Sequence, residues 1–91
     1  MRTNMFSLYI ALAEIRLWKL DIEPTDAHRR QAEMACASVS RSARHYCFAL
    51  VPSLRQRARL AYLCGRRKKA ESLWRRALAT AQSLGAQYEL R

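Results

Sequence analysis

Glycine and proline occur only twice each in 91 residues. A β architecture needs turn-formers at every reversal, and no run in this chain alternates apolar and polar with strand period. The fold class that remains is all-α. Acidic residues are also few, seven against seventeen basic ones, and the formal net charge is +10. No glycine-rich phosphate loop is present, so nucleotide chemistry has no cradle in this chain. The three cysteines, Cys36, Cys47 and Cys64, form no Cys-x-x-Cys pair, and their odd number leaves one thiol over. They read as small buried residues of a cytoplasmic, reducing environment, not as a disulfide framework or zinc site. A membrane span needs about 20 consecutive apolar residues. The apolar stretch that follows Arg2 is broken by Glu14, and its helical pattern runs on past the Ala11-Leu12-Ala13 that a signal peptidase would require.

What is present is helical periodicity. Apolar residues over 5–20 (Phe6, Leu8, Tyr9, Ile10, Leu12, Ile15, Leu17, Trp18, Leu20) cover nearly the whole cylinder, so this helix expects cover on several sides. Pro24 stops it, and Thr25 or Asp26 caps a second helix expected to reach about Leu50. That second helix has a small-residue face of Ala32, Ala35, Cys36, Val39, Ala43 and Cys47, with Tyr46 and Leu50 near its end. Pro52 suits the first turn of a third helix over 53–64. Gly65 supplies the reversal, and a fourth helix over 67–84 follows, with Gly85 as its expected terminator. Ala70, Leu73, Trp74, Ala77, Leu78, Ala81 and Leu84 share one face of that helix, and Trp74 is expected to be buried. The four cations Arg66, Arg67, Lys68 and Lys69 open it, against the macrodipole. One small domain follows, with a first hairpin over 5–50, a second over 53–84, and 86–91 as the start of a further, truncated helix. So few residues bury little, and marginal stability is expected unless the chain self-associates or belongs to something larger.

The spacing Gly65, Ala70, Trp74, Ala77, Leu78 resembles the tetratricopeptide repeat, a helix-turn-helix unit of about 34 residues. Leu60-Ala61-Tyr62-Leu63-x-Gly65-Arg66, then Leu73-Trp74-Arg75-Arg76-Ala77-Leu78, then Leu84-Gly85-x-x-Tyr88-Glu89, is similar to one branch of it. This is the degenerate repeat region that follows an ATPase module in bacterial cyclase, kinase or LuxR-like regulators. The first helix fits less well, with Arg57 where leucine is usual, and in the second Gln82 stands near the usual proline. The resemblance implies antiparallel helical hairpins forming a fragment of an α-solenoid. It also implies a protein-interaction module, part of a larger signalling or transcriptional regulator, with no catalysis of its own.

Candidate chemistry is thin. His45 and Cys47 stand two apart and point in different directions on a helix, so neither activates the other. No catalytic residue, cofactor site or metal set is expected, and the chain does not read as an enzyme. In the resemblance, the first helix of a hairpin faces the groove, which puts Arg55 and Arg59 one turn apart with Tyr62 beside them. Two guanidinium groups so placed suit a carboxylate, so the expected partner is a protein or acidic peptide. The alternative is a basic helical nucleic-acid-binding protein. It lacks a recognition-helix motif, and only non-specific binding is expected of it.

Overall fold

Each reversal of the chain is set by a local device. The computed structural model describes the backbone of residues 3–46 and 49–89 and the side chains of 7–46 and 49–85. It holds four helices: α1 (Thr3–Ile22), α2 (Asp26–Ser42), α3 (Leu50–Leu63) and α4 (Arg67–Glu89). The described residues contain no strand, so the chain is all-α. Cys47 and the tail residues Leu90 and Arg91 lie outside the described set, as does the side chain of Phe6.

α1 ends two residues before Pro24, and Thr25 takes the N-cap of α2 with extended φ −104° and ψ 159°. Its hydroxyl accepts the His28 amide at 3.2 Å, satisfying one of the free donors of the first turn. α2 then stops at Ser42, eight residues short of the expected Leu50. Serine explains the shortfall. The Ser38 hydroxyl donates to the Met34 carbonyl and the Ser42 hydroxyl to the Ser38 carbonyl, both at 3.2 Å, and such back-bonding competes with the helix ladder. The amides of Arg44 and His45 then close three-residue turns onto Arg41 and Ser42. Leu50 consequently opens α3 instead of ending α2, and it is exposed, as is Tyr46. Pro52 sits in the first turn of α3, where its missing N–H costs nothing.

α1 packs against α2, and α3 against α4. α3 also touches both helices of the first hairpin, whereas α4 touches α3 alone among the described residues. Ala13, Leu17 and Leu20 of α1 meet Ala32, Ala35, Cys36 and Val39 of α2 in one core, closed from above by Leu60 and Leu63. A second, smaller core joins Leu54 and Ala58 to Leu73 and Ala77. The small-residue face of α2 therefore does what its composition implied: it lets helices approach closely. Between the cores lies Gln56, 2% exposed. Its Nε2 donates to the Ile10 carbonyl at 3.0 Å and to Glu14 Oε1 at 3.2 Å, pinning α3 to α1, while its own buried oxygen has no partner among the described residues.

The two glycines differ. Gly65 has φ +82°. Its amide bonds the Tyr62 carbonyl at 3.0 Å and the Arg66 amide bonds the Ala61 carbonyl at 2.8 Å, the paired closure of a Schellman turn. Gly85 is no terminator: α4 passes through it to Glu89, so residues 86–89 of the expected fresh helix over 86–91 are a continuation of α4. A Cβ at either glycine would meet nothing within 4 Å, so backbone conformation alone decides the effect of substitution. Gly65→Ala is expected to cost about 1 to 2 kcal/mol, and Gly85→Ala to stabilise by about 0.5 to 1 kcal/mol. Thermal melts followed by circular dichroism should show shifts of opposite sign. Shifts of the same sign would contradict this assignment of the two positions.

The expected burial of Trp74 is not found. Trp74 is 41% exposed and Leu78 61%. The reason is angular: the buried line of α4 runs through Ala70, Leu73 and Ala77, and Trp74 and Leu78 each stand one residue, about 100° of helix, past a member of that line. They fall on the flank of the α3–α4 contact, where the Trp74 ring meets Tyr62.

Candidate partner-binding cleft

Because α4 reaches α3 but not α2, the two outer helices leave a gap over α3. This gap is a cleft of about 440 Å³, lined by Arg29 and Glu33 of α2, Arg57, Leu60, Ala61 and Cys64 of α3, Arg66 of the turn, and Lys69 and Leu73 of α4. Its floor is apolar and its rim is cationic. Arg29 is already neutralised, with Asp26 at 3.3 Å and Glu33 at 3.7 Å. Arg57, Arg66 and Lys69 have no ion-pair partner among the described residues, leaving three positive groups around Leu60, Ala61 and Leu73.

Arg57 also reaches the electrostatic environment of Cys36. Burial, and secondarily the Glu14 carboxylate, push the Cys36 thiol up to about 11, and Arg57 offsets only part of this. Cys36 is therefore a neutral thiol at physiological pH, packed in the first core with its Sγ 4.0 Å from the Gln56 carbonyl. Of the two described thiols, Cys64, exposed at the cleft wall, is the one that solvent reaches. In alkylation at neutral pH, Cys64 is expected to react at once and Cys36 only on unfolding. Equal rates read by mass spectrometry would contradict the burial argument.

Arg55, Arg59 and Tyr62 lie elsewhere. They share the outer stripe of α3, spaced four and three apart, on the side away from the cleft-lining Arg57 and Leu60. Arg55 is exposed and Tyr62 is 50% exposed. Arg59 is engaged within the chain, its guanidinium 3.7 Å from the Asp21 carboxylate at the end of α1. The Tyr62 ring stands 5.9 Å from the Trp74 ring, tilted by 49°, so the stripe continues onto α4 as an aromatic shelf. The structure thus brings the three residues onto one surface, but that surface lies on the opposite side of α3 from the cleft.

The cleft escapes sequence reasoning. Arg66 and Lys69 stand out in sequence as a basic turn, but Arg29 and Arg57 do not. Nothing local says that α2 and α4 flank α3 without touching. Among the described residues no group of His, Cys, Asp or Glu is placed to hold a metal ion, and no helix is long and apolar enough to cross a membrane. Set against protein-family models, curated proteins and solved structures, the chain has no match.

Proposed function

We propose that the chain is a protein-interaction module whose cleft between α2, α3 and α4 takes an acidic, partly apolar peptide segment. The observation that carries this is the pairing of an apolar floor with Arg57, Arg66 and Lys69 at its rim. Carboxylates of a partner would meet the guanidinium and ammonium groups while its aliphatic side chains covered Leu60, Ala61 and Leu73. A local cost supports the reading. Arg67, Lys68 and Lys69 occupy the first turn of α4, where the macrodipole favours acids. Residues that oppose the local structural preference are expected where function requires them.

The way the helices stack supports a tetratricopeptide-like solenoid piece: two antiparallel pairs, with the first helix of the second pair lying across both helices of the first. As part of a signalling or transcriptional regulator, such a piece would recognise a partner and leave the chemistry to other domains. The deciding experiment titrates a fluorescent acidic amphipathic peptide into the protein, with duplex DNA of matched charge as competitor. Saturable peptide binding that DNA fails to displace is expected. Tighter and sequence-selective binding of DNA, falling steeply with salt, would transfer the basic surface to nucleic acid. Within the peptide reading, Arg55→Glu with Arg59→Glu tests the outer stripe of α3, and this pair is expected to weaken binding far less than changes in the cleft.

A further inference from the structure

The face of α1 turned away from the core is the most continuous apolar surface on the described chain. Leu8 is 64% exposed, Leu12 43%, Ile15 50%, Trp18 57% and Ile22 62%. The buried residues Ala13, Leu17 and Leu20 lie on the opposite side of the same helix. Leu8, Ile15 and Ile22 recur every seven residues, with Ala11 and Trp18 interposed, also seven apart. This is the spacing of a two-helix seam, and the core-facing residues fall at the positions diametrically behind it. We infer that α1 is the seam of a parallel homodimer, packed along the same face of α1 in a second copy of this chain.

Charge selects a second copy. Within α1 two acids, Glu14 and Asp21, cancel two bases, Arg16 and Lys19, although the whole chain carries +10. The face is thus the place where two strongly basic molecules meet without local repulsion. Two of these charges are drawn aside: Arg16 donates to Gln31 of α2 at 2.8 Å, and Asp21 pairs with Arg59 of α3 at 3.7 Å. Glu14 and Lys19 remain to flank the seam, on opposite edges and five residues apart. That spacing joins Glu14 of one copy to Lys19 of the other when the helices run parallel. An antiparallel pair would set each edge against its own kind. Gln56 occupies only Oε1 of Glu14, leaving the other carboxylate oxygen for the lysine. Area agrees as well: the five side chains expose on the order of 600 Å² per copy, so pairing removes about 1,200 Å² in all, within the range of specific interfaces.

Sedimentation equilibrium on the full chain tests this. A concentration-dependent dimer is expected in the micromolar range. Ile15→Glu should leave only monomer, with its helical circular dichroism retained. Lys19→Glu should weaken the dimer several-fold, and Trp74→Glu, on α4, which does not touch α1 among the described residues, should leave it unchanged. A chain that stays monomeric throughout, forms larger species, or dimerises as well with Glu at position 15 would overturn the seam. A Lys19→Glu dimer of undiminished strength would overturn the parallel orientation. Neither result touches the peptide titration, which reads a surface built by other helices.

Discussion

Leu17→Ala is expected to unfold much of this protein at physiological temperature. Leu17 is fully buried, in the middle of α1 and against the small-residue face of α2. Alanine there removes three heavy atoms and leaves a void that Ala32, Ala35 and Val39 are too short to fill. Truncations of this kind cost about 2 to 5 kcal/mol. A domain of this size holds a net stability of the same order. Each kcal/mol shifts the melting temperature by about 4 to 8 °C, so a fall of well over 10 °C should be seen by circular dichroism. Trp74→Ala provides the comparison. With the ring 41% exposed and held mainly by α3 and Tyr62, its loss is expected to cost about 1 to 2 kcal/mol. If Trp74→Ala unfolded the protein and Leu17→Ala did not, the assignment of the two cores would be wrong.

The two residues also show which parts of the fold are legible in sequence. Capping chemistry is local, so Thr25 and Gly65 announce the first and third reversals, and the structure places them there with the hydrogen bonds expected. Apolar spacing marks which face of a helix seeks cover. It does not say how wide the cover is, because that depends on the neighbour. Trp74 and Leu78 share the broad stripe of Leu73 and Ala77, yet α3 covers only the Leu73–Ala77 line and leaves them on its flank. The end of α2 is less legible: helix propensity runs on through Ala43, and the Ser38 and Ser42 hydroxyls weaken the ladder without marking in sequence where it stops. Arg55, Arg59 and Tyr62 could be put on one face by spacing alone. The ion pair of Arg59 with Asp21, 38 positions away, could not be foreseen. The cleft is further still from sequence, since it arises from a contact that α2 and α4 do not make.

Replacing Arg66 by Asp and Lys69 by Glu should raise the melting temperature and abolish peptide binding together. Arg66 holds the N-cap position of α4, its carbonyl accepting the Ala70 amide at 3.0 Å. Arginine has no oxygen to offer the free amides of the first turn, whereas Asp at the cap and Glu three residues on make a reciprocal capping arrangement. Two cations also leave the positive end of the helix dipole. The gain is expected to be about 1 to 2 kcal/mol. The same double change turns two of the three unneutralised cations at the cleft rim into acids, with Leu60, Ala61 and Leu73 left in place. An acidic peptide then meets like charge, and affinity should fall by at least about tenfold, equivalent to 1.4 kcal/mol. The control is Arg75→Glu with Arg76→Glu, which alters net charge by the same amount on exposed positions of α4 outside the cleft. Calorimetric titration and thermal melts on both variants separate the possibilities. Stability up and binding lost only in the Arg66/Lys69 variant supports the cleft. Equal loss in both would mean that overall charge attracts the peptide and that no site exists. Undiminished binding by the more stable variant would remove the cleft from the function of this chain.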